Sequence, residues 1–528
     1  MAALRLYPNL ICFQARVYEQ GISDMLVHAR SIVNSFHITV RTPPEMFSMV
    51  ASYLTEEDLF SASQVCQLWR SVLTSLPSLW TRFSCRRVPR TTASLKRCGS
   101  LPIHLRLDPP FSNAALEDVL LHGNEINSLT VNHRPNKVPH FPQLLKFSRP
   151  SVQRLHVYAG GFWGWGAREQ PIRELWQDLP LLRDLFVSRY PMCIDQFNAP
   201  NLVNLALQRA TEGIRVATVQ NILHVLRGCP LLETLLLNLS LSQDALGGHS
   251  PISLPRLRSV EVSVNEVLSG LIPYLDLPPT SHVGFRTMRS YDVCDNTPLA
   301  ITAAIQHVLG RIDPRSITLA TPPQSQWNTE LFIRFEGPQG SLEITTVDRD
   351  TGQWPPNLLH FGSRGVLFSH RRIEEVRELH VIGCPFDDDQ GFDGISLAMP
   401  NVVSASFFHY SGPHISEVVA HTSSSSPPFP HLERVMVLGS ELELEEMVRR
   451  RRDIGVPLKA LVIGEEHGSS EYSHLEDYSV LGGLVGDLRV GCPTEILEWG
   501  STNEIHNLWS AVKEPGPVSP RGTWSHWA

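Results

Sequence analysis

Most of this chain repeats one short pattern of apolar positions. A punctuating residue, often proline, precedes apolar residues two, five and seven positions later, as Pro230 precedes Leu232, Leu235 and Leu237. The last two apolar positions lie two residues apart, which is the spacing of a short strand with one buried face. The clear copies start at Pro180, Pro200, Pro230, Pro255, Pro400 and Pro430, and weaker copies start at Asn124, Pro150, Glu374, Val456 and Gly483.

The distance between copies indicates the architecture. Successive copies start 20 to 30 residues apart between positions 124 and 255, and 26 to 30 apart between 374 and 483. A leucine-rich-repeat solenoid, in which each strand is followed by a returning helix or loop, has a period of about 20–29 residues. An ordinary α/β domain also alternates strands with helices, but the recurrent pattern favours a solenoid. The sequence therefore predicts an α/β solenoid with a parallel sheet over residues 100–500.

The repeat is interrupted between residues 312 and 374. Residues 331–335 and 341–346 are rich in strand-forming residues, and they flank the turn sequence Gly337-Pro338-Gln339-Gly340. We therefore expect a hairpin near 331–346, inserted into the array. Residues 221–229 carry a helical apolar pattern that ends at Gly228, which is typical of the short helix that returns the chain between strands.

Residues 41–85 have helical periodicity instead. Pro43, Pro44 and Glu45 suit the start of a helix. The first backbone N–H groups of a helix have no partner within the helix, so a proline there costs no hydrogen bond, and a carboxylate is stabilised by the positive end of the helix dipole. Thr55 is a candidate cap for a second helix, and Pro77 ends a third. The apolar positions of the three helices are Met46, Phe47, Val50 and Leu54; Leu59, Ala62, Val65 and Cys66; and Trp69, Val72, Leu73 and Leu76.

A unit of about 45 residues buries too little surface to be stable alone with this much apolar content. Two interpretations follow: a helical cap packed on the domain behind it, or a docking module whose excess apolar surface binds a partner. The order of its features resembles the F-box. The features are Pro43-Pro44-Glu45, Tyr53-Leu54, an acidic turn, Val65-Cys66, Trp69-Arg70 and Leu79-Trp80. The repeats, in turn, resemble a degenerate form of the leucine-rich repeats of F-box proteins.

The resemblance implies a non-catalytic receptor. In F-box substrate receptors of Skp–cullin–F-box ubiquitin ligases, the F-box binds a Skp-type adaptor, and through it a cullin, while the repeats hold a target protein. Carried onto this chain, the adaptor-binding residues are Pro43, Pro44, Glu45, Val50, Leu54, Leu59, Val65 and Trp69. Thr42 stands where the family usually has leucine, which weakens one expected adaptor contact. The alternative is a leucine-rich-repeat scaffold without a role in ubiquitin transfer.

The solenoid hypothesis also suggests where an unknown target protein binds. Residues between the last two apolar positions of each repeat lie on the opposite face of the strand, and three of them are large and apolar: Phe186, Leu236 and Met436. We expect these residues to bind a target, unless the protein's own loops cover them.

Composition narrows the function classes. The formal net charge is −8, which argues against a nucleic-acid partner. Nine scattered cysteines without a CxxC pair favour a reducing compartment, cytoplasm or nucleus, over disulfides or zinc. No apolar run is long enough to span a membrane, and no catalytic, cofactor or metal motif is present, so an enzyme with a site assembled in space is the least favoured class.

The sequence also supports predictions for a run of arginines and for the two ends of the chain. The four arginines 449–452 follow several glutamates, which indicates a solvated helix face. Residues 1–40 are expected to form a poorly ordered arm, and residues 501–528 a tail outside the core.

Overall fold

The computed structural model describes most of the chain and divides it into two compact units. The described residues are 25, 43–132, 151–158, 179–188, 197–208, 218–239, 250–263, 271–288, 299–320, 329–348, 371–383, 395–396, 398–408, 428–438, 444–464 and 479–491. Apart from Met25, the predicted arm (1–40) lies outside them, as does the predicted tail (501–528). One unit comprises Met1–Gly164 with Ile172–Asp184, and the other comprises Trp165–Pro171 with Leu185–Ala528.

Three short helices open the first unit. They are α1 (Pro44–Ser52), α2 (Glu56–Ala62) and α3 (Gln67–Thr74), followed by a 3-10 turn at Pro77–Trp80. The Oγ1 of Thr55 caps α2 by accepting a hydrogen bond from the backbone N–H of Asp58 at 3.2 Å, as the sequence predicts. Helix α2 ends at Ala62, so Val65 lies in the turn that follows and not on the helix.

A four-stranded parallel sheet follows in the same unit. Its strands are β1 (Arg82–Ser84), β2 (Ile103–Leu107), β3 (Ile126–Val131) and β4 (Arg154–Tyr158), paired in chain order. Helix α4 (Val88–Cys98) connects β1 to β2, and α5 (Asn113–His122) connects β2 to β3. The register aligns Phe83, Leu105, Leu129 and Leu155 in one buried row. The parallel pairing therefore begins at β1, before the predicted start of the solenoid at residue 100, and both β1 and β2 precede the first copy of the apolar pattern at Asn124.

The second unit continues the alternation of strands and connections. Strand β5 contains the boundary between the units. The remaining strands are β5 (Asp184–Ser188), β6 (Asn204–Gln208), β7 (Thr234–Asn238), β8 (Ile252–Ser253), β9 (Ser259–Ser263), β10 (Leu275–Asp276), β11 (His282–Met288), β12 (Ser316–Ala320), β13 (Thr329–Gly337), β14 (Gly340–Asp348), β15 (Glu378–Ile382), β16 (Ser404–Phe408), β17 (Arg434–Leu438), β18 (Ala460–Gly464) and β19 (Asp487–Gly491). Its helices of four or more residues are α6 (Val219–Arg227), α7 (Leu299–Ile312), α8 (Leu444–Asp453) and α9 (Ser479–Gly482), and it also has 3-10 turns at Ile272–Tyr274 and Arg371–Glu375.

The apolar pattern fixes the register of the strands. Leu205 pairs with Leu235, and Leu235 pairs with Val260; two residues on, the matched row is Leu207, Leu237 and Val262. None of these six side chains is more than 1% exposed. A one-residue slip would turn every one of them to the other face. The predicted parallel stack with a continuous core is confirmed, and in the described part of the chain seventeen strands take part in this mostly parallel pairing.

A hairpin occupies the interrupted stretch of the repeat. Strands β13 and β14 pair antiparallel; β14 also pairs parallel with β11, and β13 pairs antiparallel with β12. The hairpin thus lies within the sheet between two strands of the array, after which β12 pairs parallel with β15. Gly340 closes the turn with φ +119, and a Cβ there would lie 2.5 Å from the carbonyl oxygen of Ser281, so only glycine fits.

We expect Leu235→Ala to destabilise the second unit by about 2–5 kcal/mol, since the fully buried side chain is lost and leaves a cavity between two matched rows. Urea unfolding followed by circular dichroism measures the change. Val480→Ala is the control, because Val480 lies in the same unit and is 42% exposed, so its truncation opens no cavity. Equal unfolding midpoints for the two variants would contradict the assignment of Leu235 to the core.

None of the helices in the described part of the chain has the length and apolar character that crossing a membrane requires.

Candidate functional site

The three N-terminal helices share a small core. Leu59, Leu73 and Trp80 are at most 4% exposed, and the indole N–H of Trp80 donates a hydrogen bond to the carbonyl oxygen of Leu73 at 2.8 Å. The rings of Phe47 on α1 and Trp69 on α3 lie 4.8 Å apart. These contacts hold α1–α3 together, although the core they build is small for an independent fold.

One side of this helical head rests on the first repeat through aromatic and cationic side chains. The ring of Phe60 packs edge-on against Trp80 at 5.1 Å. The guanidinium of Arg97, from α4, lies 4.0 Å from the Trp80 ring centroid and 5.3 Å from that of Phe60. Cations over aromatic rings are attracted by the ring quadrupole, more strongly when water is displaced. The head is therefore joined to α4 by packing as well as by the chain.

A half-buried carboxylate makes a second connection to the repeat. Glu56, at the start of α2, accepts hydrogen bonds from the backbone N–H and the Oγ of Ser84 on β1, at 2.8 and 2.9 Å. Burial raises the pKa of Glu56, and the two hydrogen bonds from Ser84 oppose that shift. Because the carboxylate meets both donors of one residue, it fixes the start of α2 against the edge strand.

The head also exposes large apolar side chains. Val50 is 59% exposed and Tyr53 is 87% exposed. The full set lies on α1, just after α1 and α2, and on α3: Met46, Met49, Val50, Tyr53, Val65 and Leu68. A structural cap accounts for the buried contacts of Phe60 and Trp80, but it does not account for six exposed apolar side chains within residues 46–68. Such a patch is typical of a surface that binds another protein. We call these six residues the exposed apolar patch.

The adaptor-binding residues predicted from the sequence fall into three environments. Val50 and Val65 belong to the exposed apolar patch, and Pro43 and Glu45 are exposed at the start of α1, of which Pro44 is the first residue. Leu54 and Trp69 are half-buried. Leu59 is 4% exposed, so in this structure it supports the helices and does not present a contact surface.

Sequence reasoning assigned adaptor binding to two of the six residues of the exposed apolar patch, Val50 and Val65. It named Met46 only as an apolar helix position and Tyr53 only as a feature of the resemblance. It did not select Met49 or Leu68, because they fall outside the predicted apolar positions of the helices. The available signal was the excess of large apolar residues over the number that three short helices can bury.

The predicted target-binding residues do not form one patch. Leu236 lies on β7 and Met436 on β17, and seven strands separate β7 from β17 in the sheet. Phe186 and Leu236 are 9% and 7% exposed, and Met436 is half-buried. Ala206, Thr318 and Ser406, at corresponding middle positions, are also buried. In the second unit this face therefore offers little free surface at these positions.

The arginine run 449–452 is not a uniformly solvated face, and the sequence prediction was wrong there. Arg449 and Arg450 are exposed and pair with Glu445 and Glu446, one turn earlier on α8. Arg451, however, is 0% exposed. Its guanidinium donates hydrogen bonds to three backbone carbonyls, and burial lowers its pKa to about 10. Arg451 therefore belongs to the core of the second unit.

Two of the described cysteines, Cys85 and Cys229, are buried in surroundings that make their thiols unreactive. Burial raises the pKa of the Cys85 and Cys229 thiols to about 12, so both are protonated at neutral pH, and the thiolate is the reactive form. No group of three or more His, Cys, Asp or Glu side chains able to hold a metal ion occurs among the residues that the structure describes.

The comparisons with known proteins identify the helical head. Residues 43–86 match the family model described as F-box-like, and these residues coincide with α1–α3, the 3-10 turn and β1. A search of curated proteins finds no match to the chain. Residues 43–86 are thus an F-box-like domain, and a long, mostly parallel sheet consistent with leucine-rich-like repeats follows it.

Proposed function

We propose that this chain is the substrate-recognition subunit of a Skp–cullin–F-box type ubiquitin ligase. The F-box-like domain implies binding of a Skp-type adaptor. The observation that carries the proposal is the exposed apolar patch on that domain, because it lies on the helices that the family match covers and is not used in packing against the first repeat.

The proposed division of labour follows from the structure of the head. The F-box-like domain is joined to β1 and α4 by Glu56, Phe60 and Arg97, and the exposed apolar patch is free to bind the adaptor. A target held by the repeats is then brought near the conjugating enzyme at a raised effective concentration. The receptor itself performs no chemistry, as is typical of F-box adaptors.

The test is reconstitution from purified components. The chain is mixed with a Skp-type adaptor and a cullin and analysed by size-exclusion chromatography with light scattering. We expect a stoichiometric complex that contains all three proteins. A chain that is folded, as judged by circular dichroism, and fails to bind the adaptor would support the alternative, a repeat scaffold whose helical head has another partner.

A further inference from the structure

The outward face of the first unit's sheet carries a row of cations. The register places Arg82, His104, Ser128 and Arg154 side by side across β1–β4. A neighbouring row on the same face is Ser84, Arg106, Thr130 and His156. The alternate positions of these strands bury Phe83, Leu105, Leu129 and Leu155. The sheet therefore has one apolar face and one face composed of guanidinium, imidazole and hydroxyl groups.

The arginines on this face remain accessible. Arg82 is exposed, and the side chains of Arg106 and Arg154 are 55% and 57% exposed. At the position that corresponds to Arg106, the second unit has the buried residues Phe186, Ala206, Leu236, Thr318 and Ser406.

Two buried carboxylates orient the arginines without cancelling their charge. Asp108, with a side chain 7% exposed, lies 2.8 Å from Arg106 Nε and 3.2 Å from Arg86 Nη2, and it also accepts a hydrogen bond from Asn132. Asp184 lies 3.0 Å from Arg154 Nε. Four arginines, Arg82, Arg86, Arg106 and Arg154, thus stand against two aspartates, Asp108 and Asp184. The third acid at this sheet, Glu56, is held by Ser84 and is close enough to be influenced by Arg90.

The surplus of positive charge is local. At this face Arg82, Arg86, Arg106 and Arg154 stand against Asp108 and Asp184. The described residues of the first unit, 43–132, 151–158 and 179–184, together hold ten Lys and Arg against nine Asp and Glu, and the whole chain has a formal net charge of −8. Burial lowers the pKa of His156 to about 4 and also lowers that of His104. Both imidazoles are therefore neutral at pH 7 and act as hydrogen-bonding groups beside the arginines.

We propose that this face of β1–β4 binds an extended acidic segment, rich in Asp and Glu, of the target protein. The proposal rests on the proposed function, in which the repeats hold a target. Arg82 and Arg154 are three strand intervals apart, about 14 Å at the usual spacing between strands. Residues four apart on one side of an extended peptide are separated by nearly the same distance, about 13 Å. An acidic residue at every fourth position of such a segment meets both arginines. Arg106, in the neighbouring row about 7 Å along the strand, can bind another acidic side chain.

The probe is a fluorescein-labelled 12-residue peptide with Glu at alternate positions and Ser between, titrated into the full chain and followed by fluorescence anisotropy. We expect saturable binding that weakens as salt rises from 50 to 200 mM, because exposed charges are screened. The same peptide with Gln in place of Glu should not bind. Failure of the wild-type chain to bind the Glu peptide overturns the proposal.

Arg82→Gln/Arg106→Gln is the informative variant. Arg82 is exposed, and the Asp108 that Arg106 contacts keeps Arg86 and Asn132, so we expect normal unfolding and at least about a tenfold loss of peptide affinity. Arg87→Gln/Lys96→Gln removes the same charge from exposed positions just before and on α4, and its affinity should change less than about twofold.

Two further results would contradict the proposal, and a separate measurement distinguishes it from the adaptor hypothesis. An equal loss in the control variant would mean that overall charge, and not this face, attracts the peptide. Tighter binding of a 12-nucleotide single-stranded RNA than of the peptide would assign the face to nucleic acid. Adaptor binding is measured on the same variants and should be unchanged, because the substituted residues lie outside the exposed apolar patch.

Discussion

Replacing Met49 and Val50 with glutamate should weaken adaptor binding at least about 100-fold, which is about 2.7 kcal/mol. Both side chains are 59% exposed, so the free protein tolerates the charges. In a complex, two carboxylates would have to leave water and enter an apolar contact without partners, and that desolvation is strongly unfavourable. Isothermal titration calorimetry with a purified Skp-type adaptor measures the loss.

The helix itself should survive this change. Glutamate has a helix propensity close to that of methionine and better than that of valine, so we expect the unfolding free energy to shift by no more than about 0.5 kcal/mol. Leu101→Glu/Leu121→Glu is the matched control, because these leucines are also exposed in the first unit but lie outside the F-box-like domain. If both variants bind the adaptor as tightly as the wild type, the exposed apolar patch is not the docking surface.

The repeat was predictable because each paired strand buries one face, so its apolar residues recur at fixed spacing in the sequence. All eleven copies of the apolar pattern coincide with strands, namely β3–β7, β9 and β15–β19. Strands β2, β11 and β12 keep the last two apolar positions, as Ile317 and Leu319 do on β12. Their first position is Pro102, Thr280 or Pro314, so a pattern that requires three apolar residues misses them.

The site was less predictable because it depends on which surfaces remain uncovered. Periodicity correctly separated inward Leu59 from the polar face of α2, but it gave no information on whether Val50 packs against the first repeat or remains exposed. Likewise, the alternation of β7 shows that Leu236 faces away from the leucine rows, and its 7% exposure is a property of the tertiary structure. Local pattern specifies the face of an element, and only tertiary packing specifies what lies over it.

Arg451 shows the same distinction at a single residue. Three neighbouring arginines on α8 are exposed, and two of them pair with glutamates one turn earlier, as the charge pattern predicts. The helix must nevertheless turn one side toward the core. Met447, Val448 and Leu444 lie on that side with Arg451, three to seven residues away, so the helical period placed a charged residue among apolar ones.

Arg451→Met should destabilise the second unit by about 2–4 kcal/mol. The guanidinium donates hydrogen bonds to the carbonyl oxygens of Pro428, Phe429 and Leu432, at 3.0, 3.1 and 3.3 Å. Methionine fills similar volume but removes the donor from the carbonyl oxygens of Pro428 and Leu432, whereas that of Phe429 keeps the backbone N–H of Leu432. Each buried orphan costs about 1–3 kcal/mol. Removing the desolvated charge offsets part of that loss, which is why the expected value lies below the sum.

Urea unfolding of Arg451→Met, Arg451→Lys and Arg450→Met distinguishes the hydrogen bonds from the charge. Lysine keeps the charge but lacks the planar fork that reaches three carbonyls, so Arg451→Lys should lose nearly as much stability as Arg451→Met. Arg450→Met makes the same substitution at an exposed neighbour that pairs with Glu446 on the same helix, and it should cost no more than about 0.5 kcal/mol. If Arg451→Lys is as stable as the wild type, this part of the core requires a buried positive charge and does not require the planar guanidinium. If Arg451→Met is as stable as Arg450→Met, the three carbonyls do not depend on Arg451 at all.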